Sequence, residues 1–153
     1  MNDVHDAKTL SVRRSVWQLV ARVRREALGA LDRALASDPE LAELEVTEAQ
    51  YAIVATLAEQ QSSSAAQLCK WFSYDAGAMT RLVDRLETKG LVQRHRCAHD
   101  RRQISLELTD SGKAFFPKMK AVAVRVENDA LRGLTREDVW NLQKYLTRFL
   151  ENL

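Results

Sequence analysis

The chain has 153 residues, 46% hydrophobic and 29% charged, with a formal net charge of +2, the composition of one soluble globular domain large enough to bury a core. Five glycines and two prolines argue for mostly helical structure with few tight turns. Two cysteines, Cys69 and Cys97, make no disulfide framework, and with no apolar run near ~20 residues and no apolar signal core in MNDVHDAKTL, a cytoplasmic protein away from membranes is expected.

In chain order, Val16, Leu19, Val20, Val23, Ala27, Leu31 and Leu35 recur at the three-and-four spacing of an amphipathic helix over about 9–36. Asp38 and Pro39 break it, Asp38 suiting a cap and Pro39 a first helical position, and a short turn follows around Leu41–Leu44. Thr47 with Gln50, and Ser64 with Gln67, are capping boxes that predict helices from Thr47 to about Glu59 and from Ser64 to Phe72. The intervening Gln61–Ser64 reads as a connection. Asp75 caps a helix over 76–89 whose inner face is Met79, Leu82, Val83 and Leu86, and Gly90 supplies a left-handed stop. Leu91–His95 and Ile104–Thr109 alternate as two strands of a hairpin, with 96–102 as its loop. A long helix starts at Thr109-Asp110 and runs to about Arg132, with Pro117 either in its first turns or at a mild kink. Thr135 caps the last helix, whose apolar face is Val139, Leu142, Leu146, Phe149 and Leu150.

The expected fold is therefore mainly α with a small β-hairpin: one domain over 1–153, a helix-turn-helix with a wing at 46–109, and helices at 9–36 and 110–153 carrying more apolar stripe than a small central lobe can cover. Those outer helices point to a homodimer.

Two constellations carry the chemistry. The unit 64–89 is two capped helices joined through Ser73-Tyr74. The second opens with Ala76, Gly77 and Ala78, small enough to let a helix end approach a groove, and carries Thr80, Arg81 and Arg85 on its outer face. Hydroxyl and guanidinium groups suit phosphates and base edges, arginine suiting guanine best. A helical hairpin with solvated arginines would look much the same. The hairpin discriminates: from Arg94 to Arg102 there are four arginines against one aspartate, a self-repelling arrangement unless an anion faces it. Arg96, Arg101 and Arg102 would reach phosphates or a narrow minor groove, and Asp100 would hold the tip in shape.

Leu44-Glu45-Val46-Thr47-Glu48-Ala49-Gln50-Tyr51, the run Met79–Arg94, and Asp100-Arg101-Arg102 followed by Ile104–Thr109 together resemble the MarR family of bacterial winged-helix regulators over essentially the whole chain. Val46 departs from the leucine many members carry there. The resemblance implies a triangular homodimer that binds a pseudo-palindromic DNA operator and is released by a small aromatic acid or phenolic effector, with no required cofactor. It also implies that Asp100 orders the wing, that Arg102 enters the minor groove and that 76–89 is the recognition helix. Tyr74–Ala78 is similar to a subgroup containing multidrug-efflux and aromatic-acid-responsive repressors. Family members bind effectors between the DNA-binding lobe and the dimer helices, for which Trp17, Tyr51, Trp71 and Tyr74 are the candidates here.

The sequence also admits three other readings. His95, Cys97 and His99 alternate as a zinc-like ligand set, but a fourth ligand is not evident. Cys97, beside Arg94 and Arg96, could sense oxidants as a thiolate. A winged helix can also bind protein, but the outer face of helix 76–89, with Thr80, Arg81, Asp84, Arg85 and Thr88, carries no apolar patch. An enzyme is not expected: the chain contains no HExxH, GxSxG, GxGxxG or P-loop lysine.

Overall fold

Local capping chemistry sets nearly every helix boundary. The computed structural model describes residues 15–96 and 104–153. Helix α1 spans Val16–Ser37, its Ser15 hydroxyl accepting from the Gln18 amide. The expected residues 9–14 lie outside the described ones. Asp38 closes α1 rather than opening the next helix: its amide donates to the Leu35 carbonyl and its carboxylate accepts from the Glu40 amide at 3.1 Å. A 3-10 turn at Ala42–Leu44 follows. Helices α2 (Glu48–Gln60) and α3 (Ala65–Phe72) begin with the two predicted capping boxes, both complete.

Helix α4 (Ala76–Thr88) is capped by Asp75, and Gly90 turns the chain at φ +68°, a conformation open to glycine. Strands β2 (Val92–Arg96) and β3 (Ile104–Leu108) form the expected antiparallel pair. The sheet has a third member: Ser63–Ser64 form β1, antiparallel to β3 in the order β1-β3-β2. The last two residues of the connection 61–64 thus belong to the sheet and close the far edge of β3.

Helix α5 spans Asp110–Ala130 and α6 spans Arg136–Glu151, capped by Thr109 and Thr135. Pro117 lies in the interior of α5, not in its first turn, so the helix lacks the amide that would reach the Lys113 carbonyl. The core is one cluster in which Leu35 of α1, Ile53 and Leu57 of α2, Leu68 of α3, Met79 and Leu86 of α4, Leu106 of β3 and Met119 of α5 are all 1% exposed or less. Ile104 is 47% exposed despite its place in the strand alternation, because it lies beyond the end of that core.

Helix α6 is amphipathic yet buries none of its residues. Leu142, Leu146 and Leu150 on the expected apolar face are exposed, as are Val16, Trp17, Leu19, Val20 and Val23 at the start of α1. The two helices meet through an edge-on contact of Trp17 and Phe149, centroids 5.1 Å apart. No helix among the described residues is long and apolar enough to cross a membrane.

One close approach ties the scaffold to the lobe. Thr109 donates its amide to the Leu91 carbonyl at 3.1 Å and its hydroxyl to the Gly90 carbonyl at 2.5 Å. A Cβ at Gly112 would sit 2.1 Å from the Leu91 carbonyl oxygen, backbone against which nothing can rotate away. We predict that Gly112→Ala lowers unfolding free energy by about 3 kcal/mol, the upper part of the overpacking range. Gly29→Ala, whose nearest neighbour is the mobile end of Arg33 at 3.3 Å, should instead stabilise by up to ~1 kcal/mol through helix propensity. Urea unfolding at fixed protein concentration checks both; equal effects would sink the assigned role of Gly112.

Candidate nucleic-acid interface

The candidate surface is built on α4. Its apolar stripe, Met79, Val83 and Leu86, is buried, so helical spacing turns Ala76, Gly77, Thr80, Arg81, Asp84, Arg85 and Thr88 outward, and all seven are exposed. Ala78, which the sequence grouped with the groove-facing residues, is half-buried; its amide donates to the Asp75 carboxylate at 2.8 Å. The Thr80 hydroxyl donates to the Ala76 carbonyl at 2.7 Å, leaving its oxygen able to accept. The α4 face therefore offers two free guanidiniums, hydroxyls and a small-residue entry with no apolar patch, a surface chemically suited to a polyanion.

The other end of α4 is anchored. Lys89 Nζ donates to the Leu44 carbonyl and, at 3.2 Å, to that of Glu45; Glu45 itself has a left-handed φ of 47°. These bonds hold the C-terminus of α4 on the entry to α2, where Val46 is buried.

The hairpin behaves differently from its charge count. Cross-strand partners share a sheet face, and the register pairs Val92 with Leu108, Arg94 with Leu106 and Arg96 with Ile104. Arg94 therefore belongs to the inner face with Leu106, not to the basic tip. Its Nη2 lies 2.7 Å from Asp84 Oδ1 and its Nη1 bonds Glu87 Oε2, both on α4. Arg96, one step further along the same face, is exposed. On the outer face His95 Nε2 is 3.7 Å from Glu107 Oε2. Asp100, Arg101 and Arg102, and likewise Cys97 and His99, lie outside the described residues. Among the described residues no group of three or more His, Cys, Asp or Glu could hold a metal ion.

The four aromatic candidates are dispersed. Trp17 sits on the exposed α1–α6 side. Tyr51 is half-buried against the core, its phenol raised above the usual tyrosine range by burial and by the Glu59 and Glu127 carboxylates. Trp71 is 48% exposed on α3. Tyr74 packs on Phe72 with centroids 6.4 Å apart and, with Ala49, Ala78, Arg81, Leu82 and Arg85, lines a hollow of about 270 Å³ beside α4. Two larger hollows, of about 630 Å³ between α2, β3 and α5 and about 480 Å³ at the α5–α6 elbow, involve none of the four. Arg81 and Arg85 of the outer face thus also line the hollow that Tyr74 closes, a double use the spacing of aromatic residues could not reveal.

Residues 46–104, which include α2, α3, α4 and β2, match the model of the MarR family. Over that stretch the chain is similar to the MarR family. Apo wild-type MarR from E. coli is 26% identical, with a TM-score of 0.71 over 89% of this chain and 96% of its own. A cysteine-to-serine variant of that protein complexed with operator DNA is 24% identical, with a TM-score of 0.78 over 92% of this chain and 99% of its own. BpsR from Bordetella bronchiseptica, whose structure concerns regulation of its DNA binding by 6-hydroxynicotinic acid, shares the fold at 19% identity, with a TM-score of 0.78 over 94% of this chain and 98% of its own. The winged-helix fold of these structures matches the small sheet packed beside two short helices here.

Since Asp75 holds the first turn of α4, Asp75→Ala should cost about 1 kcal/mol of stability, whereas Asp75→Asn, which keeps the accepting oxygen, should cost only a few tenths. Denaturant unfolding of the pair distinguishes capping from a charge effect; equal losses would mean that the negative charge, not the acceptor, matters.

Proposed function

We propose that the protein is a dimeric, sequence-specific double-stranded DNA-binding transcriptional regulator, a repressor relieved by a small aromatic acid or phenolic effector. The observation that carries this reading is the outer face of α4, where Thr80, Arg81 and Arg85 project from a helix capped at Asp75 and anchored at Lys89. Ala76 and Gly77 let the helix start approach a major groove, and the guanidiniums meet phosphates or guanine edges. Arg96 extends the basic surface along the wing. By the family resemblance, Arg101 and Arg102 continue it, with Asp100 ordering the turn. The operator complex of the 24% identical E. coli protein supports the assignment.

Dimerisation follows from α1 and α6. An amphipathic helix with no fully buried residue beside five exposed apolar residues of α1 leaves more apolar surface than monomers retain. A twofold dimer would set two α4 helices against half-sites about 34–36 Å apart, hence a pseudo-palindromic operator. A protein with this role works in the cytoplasm and binds rather than catalyses.

For the effector, the hollow lined by Tyr74, Leu82, Arg81 and Arg85 combines an aromatic wall with two guanidiniums suited to a carboxylate. An occupant there would engage the arginines that face DNA, so binding of effector and of operator would oppose one another. The regulation of BpsR by 6-hydroxynicotinic acid supports this class of molecule.

The test is fluorescence anisotropy of a labelled duplex from the gene's own upstream region, titrated at several salt concentrations with and without salicylate or 6-hydroxynicotinic acid. Tight binding that weakens steeply with salt is expected, and Arg81→Ala or Arg85→Ala should lose about 1–3 kcal/mol and reduce the salt slope by about one. Arg102→Ala should act similarly through the wing. Equal affinity for unrelated duplexes would overturn sequence-specific regulation. Retention of the complex at saturating amounts of either acid would overturn the effector class alone.

A further inference from the structure

Asp84 and Glu87 are hard to reconcile with a surface that only attracts DNA. Both are carboxylates on α4, the element proposed to enter the groove, and Asp84 lies on its exposed face between Arg81 and Arg85. By charge alone they repel phosphates. What they do instead is hold one guanidinium: Arg94 reaches back from β2 with Nη2 2.7 Å from Asp84 Oδ1 and Nη1 on Glu87 Oε2. Two carboxylates one helical turn apart grip both terminal nitrogens of the planar group, a geometry that fixes direction as well as distance. Arg94 stands on the inner sheet face, cross-strand from Leu106, which is 1% exposed. Beyond that pair the core ends, and Arg96 and Ile104 are exposed. The clamp therefore sits where apolar packing stops holding the hairpin against the helix.

We propose that Arg94 is a positioning residue for DNA binding: gripped by Asp84 and Glu87, it sets the angle of the wing to α4 so that both elements meet one duplex together. This rests on the DNA-binding reading above. Arg94 makes no phosphate contact in this role, since its terminal nitrogens are engaged, and the wing beyond it is aimed through a rigid fork rather than through the core.

The discriminating variant is Asp84→Asn with Glu87→Gln. It removes two negative charges from α4, so electrostatics alone would tighten binding. The positioning role requires the opposite, a loss of about tenfold in affinity, the size that two partly exposed charge-assisted pairs allow. Arg94→Glu should bind far more weakly, and adding Asp84→Arg to it should recover much of the loss by rebuilding the bridge with reversed polarity. Thermal unfolding of each variant provides the folding control and should shift little, because the pairs are partly exposed. Tighter or unchanged binding by the Asn/Gln variant, or no recovery in the reversed pair, overturns the positioning role while wild-type binding leaves the DNA reading intact. Absence of wild-type binding to the upstream duplex overturns both.

Discussion

The lobe depends on the contact of Gly112 with the Leu91 carbonyl, flanked by the two Thr109 bonds to Gly90 and Leu91. At that point the end of α4, the start of β2 and the start of α5 share one patch of backbone. Helix α5 in turn packs on α2 and on α1, and α1 carries part of the exposed apolar surface. Any rotation of the scaffold is therefore delivered to the root of the wing and the end of α4 together. A side chain at residue 112 would separate them.

Electrostatics divide the basic residues into two populations. Arg81, Arg85 and Arg96 project to solvent and are available to an anion. Arg94 and Lys89 are used internally, the first on carboxylates of α4 and the second on carbonyls at the entry to α2. Formal charge along the chain conceals this division: Asp84 and Glu87 are engaged by Arg94, which leaves Arg81 and Arg85 as the exposed cations of α4.

Features set by local chemistry were legible in the chain. The capping hydroxyls of Thr47, Ser64, Thr109 and Thr135 and the Asp75 carboxylate act within three residues, so a short window contains the whole interaction. The third strand was not legible, because Ser63-Ser64 is too short to alternate and its partner Leu106 is distant in sequence. Arg94 was readable in part: strand alternation aligns it with Val92, but a charge count merges it with the tip, and only the helix opposite reveals which description matters. That the four aromatic candidates do not share one hollow was hidden for a similar reason. Trp17 and Tyr74 look alike in composition, yet one faces Phe149 and the other sits beside Arg81 and Arg85.

The pairing of Ser63 with Leu106 also has a consequence for how the protein is made. Helices α2, α3 and α4 close through nearby residues and can form as they emerge, whereas β1 must wait until β3 has been synthesised, with both intervening helices looped out between them. Long-range strand pairing of this kind is the slow part of folding. During synthesis, then, helices α3 and α4 with their exposed arginines are present before the three-stranded sheet beside them is complete. The last element this lobe gains is the edge strand that closes β3.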